Sequence, residues 1–117
     1  MQASSAAGRH LIVDLHEASQ LDDAPRMEQA LRDCVEAAGA TLLHIHLHRF
    51  ESHGGLSGVA VLAESHIAVH TWPELGYAAF DVFMCGQADP HQTLAVLRRA
   101  FQPARITVQE LRRGPAH

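Results

Sequence analysis

A serine that follows a glutamate, with apolar strand-forming residues around the pair and a base nearby, forms a bond that can cut itself. The chain has this arrangement at Glu64-Ser65, within Ala63-Glu64-Ser65-His66-Ile67-Ala68-Val69-His70. The Ser65 hydroxyl can attack the Glu64 carbonyl, which turns the amide into an ester. A base, with His70 five residues on, then removes the serine Cα proton and the ester is eliminated. The new N-terminus is left as dehydroalanine, which hydrolyses to a pyruvoyl group. Such a chain makes an electrophilic carbonyl from its own backbone.

Chemistry of this kind needs elements that hold it. Arg9 to His16 reads as a strand. Pro25 to Ala38 reads as a helix, with Pro25 in its first turn and Gly39 just past its end. Met27, Ala30, Leu31, Cys34 and Val35 recur at helical spacing and define its buried face. Thr41 to Phe50 alternates, with Leu43, Ile45 and Leu47 to one side and His44, His46, His48 and Phe50 to the other. Glu51 to Gly55 is a turn-rich loop. Strands are expected at Ser57 to Ala63, Ile67 to Trp72 and Tyr77 to Cys85. A second helix is expected over Pro90 to Phe101, with Leu94, Leu97 and Phe101 on its apolar side, then a last strand from Arg105 to Leu111. Met1 to Gly8 is small and polar and is expected to fray.

This order predicts an α+β fold, a two-layer sandwich of one antiparallel sheet with both helices on one face. Alternation places Phe50, His70, Trp72 and Cys85 on the other face. A face half apolar and half reactive calls for a cover. A second copy of the chain would supply it, in a four-layer αββα dimer with a buried site between two sheets.

Composition narrows the classes further. At 117 residues a single domain is expected, and 47% apolar residues suffice for a compact core. The net charge of −4 and the lack of a basic stripe argue against nucleic acid. No apolar run approaches the ~20 residues of a membrane span, and the start of the chain lacks the pattern of a secretory leader. Cys34 and Cys85 are too few for a disulfide scaffold, so the expected compartment is the reducing cytoplasm. Cys34 reads as a packed residue of the first helix. The alternating His44, His46 and His48 are not assigned a metal.

Gly55-Leu56-Ser57-Gly58-Val59, Glu64-Ser65-His66, His70-Thr71-Trp72-Pro73-Glu74, Gly76-Tyr77-Ala78-Ala79 and Asp81-Val82-Phe83-Met84-Cys85-Gly86 resemble the short prokaryotic S-adenosylmethionine decarboxylase proenzymes. Gly8-Arg9-His10-Leu11 and His48-Arg49-Phe50 fit the same pattern, so the similarity runs from about Gly8 to about Leu111. The resemblance implies cleavage at Glu64-Ser65 into residues 1–64 and 65–117, a covalent pyruvoyl cofactor from Ser65, and a role in making the aminopropyl donor of spermidine. It implies that the pyruvoyl carbonyl takes the substrate amine as a Schiff base and serves as an electron sink for decarboxylation. By the same likeness His70 is the processing base, since imidazoles ordinarily titrate near pH 6.5. Ser57 assists the acyl shift by donating to the oxyanion. Cys85 returns a proton to the substrate α-carbon, as thiols ordinarily stay protonated at neutral pH.

Three further matched positions imply the substrate. Phe50 and Trp72 would sandwich an adenine and favour a nearby sulfonium, and Glu74 would accept from both ribose hydroxyls. Another amino acid, ornithine or arginine, is the competing substrate, and an uncleaved binding or regulatory homologue is the competing class. The loop from Glu51 to Gly55 is one residue longer than in many relatives, and Leu75 stands where an aromatic is common.

Overall fold

A computed structural model describes residues 7–115. The expected fraying of Met1 to Gly8 falls largely on residues outside that range. Six strands form one antiparallel sheet in the order β2-β3-β4-β5-β1-β6. The strands are β1 (Gly8–His16), β2 (Leu42–Arg49), β3 (Leu56–Leu62), β4 (His66–Trp72), β5 (Tyr77–Cys85) and β6 (Arg105–Arg113). Helices α1 (Ala24–Ala38) and α2 (Thr93–Phe101) are the remaining long elements.

The reason for two layers lies in the strand alternation. Leu11, Val13 and Leu15 of β1, Ile67 and Val69 of β4, and Ala78, Phe80, Val82 and Met84 of β5 are all buried. They meet Met27, Ala30, Leu31, Cys34, Val35 and Ala38 of α1 and Val96, Leu97 and Phe101 of α2 in one core. Each fully buried Leu, Val or Phe there contributes about 1.5–3 kcal/mol of hydrophobic stabilisation. Both helices therefore lie on one face, as the sequence predicts. α1 begins where Asp23 accepts from Arg26 N at 3.0 Å and ends at Gly39, whose φ of 76° suits a residue without a Cβ.

Two expectations are corrected. Leu43 does not point inward with Ile45 and Leu47. A register shift between Leu42 and His44 puts Leu42 on the core face and leaves Leu43 63% exposed. An extra residue in one strand flips the side chains before it, which simple alternation cannot foresee. The second helix also does not run unbroken from Pro90. A 3-10 turn at Pro90–Gln92 comes first, capped by Asp89, and α2 follows from Thr93. Its buried face is Thr93, Val96, Leu97 and Phe101, with Leu94 only half-buried. The last strand continues two residues past Leu111.

Candidate active site

The face away from the helices carries most of the reactive side chains. Alternation brings His66, His70 and Trp72 of β4 to it, with Tyr77, Asp81, Phe83 and Cys85 of β5, Ser57 of β3 and His10 and Asp14 of β1. Within one chain these residues divide between the two ends of the sheet.

The first group surrounds the β3–β4 turn. Leu62 N donates to Ser65 O at 2.9 Å and closes the turn. The turn is pinned to the segment before β2 by Ala63 N donating to Thr41 O at 2.9 Å and by Thr41 N donating to the Glu64 Oε1 at 3.1 Å. Glu64 thus spends its carboxylate on holding the turn. The Ser65 hydroxyl lies against the carbonyl oxygen of Glu64 and 3.6 Å from the Cys85 Sγ at the end of β5. A nucleophile, the carbonyl before it and a thiol therefore share one corner.

The second group sits at the opposite end. Ser57 and His70 are cross-strand partners. Trp72 pairs with Tyr77, and the two rings stack with centroids 5.2 Å apart. His70 lies beside Trp72 at 6.3 Å. Glu74 is exposed in the 3-10 turn Pro73–Leu75, just beyond Trp72. Phe50 follows β2, where its N–H donates to Gly55 O at 2.8 Å. Five residues of extended chain separate Ser65 from His70, a span of about 16 Å. The structure therefore joins Ser65, Glu64 and Cys85, and separately joins Ser57, His70, Phe50, Trp72 and Glu74. It does not bring the two groups together within one chain.

Some positions carry signals that sequence reasoning passed over. The Tyr77 hydroxyl donates to Asp14 Oδ1 at 2.8 Å, a bond that pushes the phenol pKa up. Tyr77 thereby fixes the ring that backs Trp72. Alternation alone puts Asp14 and Tyr77 on the same face as Trp72. His10 Nε2 pairs with Asp81 Oδ1 at 3.1 Å. Among the described residues no three His, Cys, Asp or Glu side chains are grouped to hold a metal ion. Cys34 is buried in α1, and burial first, then Asp33, pushes its thiol up to about 12.

Six antiparallel strands, two helices behind them and a serine set on its own preceding carbonyl describe an α+β protein whose candidate site lies on the open face of the sheet. Comparison with known proteins is specific. A model of the family described as S-adenosylmethionine decarboxylase matches residues 9–114. The chain belongs to that family. A protein of Thermomicrobium roseum named S-adenosylmethionine decarboxylase proenzyme is 46% identical over 108 residues, covering 92% of this chain and 93% of the relative. One of Methanococcus maripaludis with the same name is 49% identical over 110 residues, covering 92% and 89%. The crystal structure of the adenosylmethionine decarboxylase from Aquifex aeolicus superposes with a TM-score of 0.83 at 32% identity, over 97% of this chain and 96% of that one.

Proposed function

We propose that the chain is a pyruvoyl-dependent S-adenosylmethionine decarboxylase that matures by cutting its own Glu64–Ser65 bond. The observation that carries the reading is the Ser65 hydroxyl set against the Glu64 carbonyl with the Cys85 thiol beside it. Attack by the Ser65 Oγ forms a C–O bond to the Glu64 carbonyl carbon and breaks the C–N bond, with the hydroxyl proton passing to the nitrogen. Removal of the residue 65 Cα proton then expels the Glu64 carboxylate. Hydrolysis of the resulting dehydroalanine releases ammonia and leaves the pyruvoyl carbonyl. That group supplies an electron sink for the carbon that loses CO2.

The remaining residues take roles that suit their positions. His70 is the base for the elimination, and Ser57 beside it donates to the oxyanion of the acyl shift. Cys85 holds the proton that returns to the substrate α-carbon. Phe50 and Trp72 bind the adenine, and Glu74 accepts from the ribose. The gap of about 16 Å between Ser65 and His70 of one chain favours a site built from two. Two copies packed open face to open face, their sheets about 10 Å apart and related by a two-fold axis that runs across the strands, would set the Ser65 corner of one against the Ser57–His70 end of the other. We therefore read the active unit as a homodimer of cleaved protomers, acting in the cytoplasm and feeding the aminopropyl donor to spermidine synthesis. Among the described residues no helix is long and apolar enough to cross a membrane.

Denaturing mass analysis of the purified chain is expected to give residues 1–64 and a carbonyl-blocked fragment of residues 65–117. Carboxyl-labelled S-adenosylmethionine should release CO2, while ornithine and arginine in parallel should not. An uncut chain after long incubation would refute self-processing. CO2 from ornithine or arginine alone would refute the substrate and spare the cofactor.

A further inference from the structure

Phe50 and Trp72 stand two strands apart at one end of the sheet, with the start of β3 between them. Gly55 lies at that start. Its carbonyl accepts from Phe50 N on one side; on the other, Leu56 N donates to Thr71 Oγ1 at 2.9 Å, just beyond the Ser57–His70 pair that ends the β3–β4 register. Trp72 turns one face to Tyr77 on the β5 side, which leaves its other face toward β3.

A residue of the adjoining loop lies on the Phe50 ring. The His53 imidazole stacks on Phe50 with centroids 5.4 Å apart and planes 28° from parallel. Its Nδ1 accepts from Gly55 N at 3.2 Å. A Cβ at position 55 would meet the Thr71 carbonyl oxygen at 2.6 Å and the His53 Cε1 at 2.8 Å, so the imidazole lies beside Gly55 on the side toward β4.

We infer that His53 is a specificity-determining residue, a plug that covers the Phe50 wall of the base slot in the free protein and that an adenine must displace. The inference rests on the reading of Phe50 and Trp72 as the two walls around the adenine. Displacement gives up the bond from Gly55 N and the stack on Phe50, and the exposed turn of Glu51, Ser52 and His53 gives the ring somewhere to go. A ligand without a flat aromatic group gains nothing by displacing His53, so the plug sharpens the preference for an adenosyl compound.

The test uses the full-length cleaved protein. Trp72 is the sole tryptophan of the chain and reports on the slot by fluorescence. Methylthioadenosine, which lacks the reacting amino acid, is titrated into wild type, His53→Ala and His53→Phe. His53→Ala is expected to bind about two- to tenfold more tightly and to show a KM for S-adenosylmethionine lower by the same factor with kcat unchanged, the range set by one stacked ring pair. His53→Phe keeps a ring on Phe50 and should stay near wild type. Weaker or equal binding by His53→Ala, in a wild type that responds to methylthioadenosine and turns over S-adenosylmethionine, would overturn the plug and leave the function standing. A wild type that does neither would overturn both.

Discussion

At the scale of single residues, the two cysteines have opposite fates. Cys34 is packed under α2, its Sγ 3.8 Å from Thr93 O, and burial raises its thiol to about 12. At pH 8 only about one Cys34 in ten thousand is then a thiolate, the form that alkylates. Iodoacetamide should leave Cys34 untouched in the folded protein and label it once guanidinium unfolds the chain. Labelling of native Cys34 at the rate of a free thiol would show that the core around it opens. Residue type alone does not single out the nucleophile either. The tripeptide Glu-Ser-His occurs twice, at Glu51-Ser52-His53 and at Glu64-Ser65-His66. The second was legible because apolar, strand-like residues surround it, and the structure gives it Cys85 as a neighbour. The stack of His53 on Phe50 was not legible, because it depends on how the loop after β2 turns back on itself.

At the scale of elements, the strands and α1 were readable wherever the hydrophobic period was unbroken, and errors arose where local geometry intervened. The bulge at Leu43 and the 3-10 turn before α2 are such places. Asp89 explains the turn. It accepts from His91 N at 3.1 Å and Gln92 Nε2 at 3.2 Å, with Arg9 Nη1 at 3.8 Å. Burial alone would raise its pKa, but the hydrogen bonds from Gln92 and His91, with Arg9, outweigh it and hold the carboxyl below its ordinary 3.8. A depressed native pKa stabilises the fold above the unfolded value, and that contribution is lost as pH falls through the native one. Asp89→Ala should therefore cost about 1 kcal/mol at neutral pH, the usual loss for a cap. The difference in Tm between wild type and variant should shrink below pH 4. A gap that stays constant from pH 7 to pH 3 would show that the carboxylate charge plays no part.

At the scale of the whole molecule, the division of the site into two ends has a genetic test. The reactive face was legible from alternation, and the distance from Ser65 to His70 follows from five extended residues, but which side chains gather at each end was not legible, because that depends on strand order and register. Ser65→Ala and His70→Ala chains are expected to be uncut when made alone. Co-expressed and differently tagged, they should form mixed dimers in which the His70→Ala chain supplies Ser65 and its partner supplies His70. With random pairing about a quarter of all sites are then complete. Cleavage should appear only in the His70→Ala chain. No cleavage in either chain of an isolated mixed dimer would place both residues in the same subunit's site.

The strand order carries one more consequence. A cut at Glu64–Ser65 puts β1, α1, β2 and β3 in one fragment and β4, β5, α2 and β6 in the other. In the sheet β1 lies between β5 and β6, so the two fragments are interleaved and share three backbone ladders. Neither can leave without breaking the sheet. Before the cut, folding is unimolecular. After it, recovery from full unfolding becomes a bimolecular encounter whose yield depends on concentration, and the fragment that returns carries no serine with which to rejoin the bond. A cut at that bond would thus be a one-way passage, from a protein that can refold alone to one that must keep the fold it was cut in.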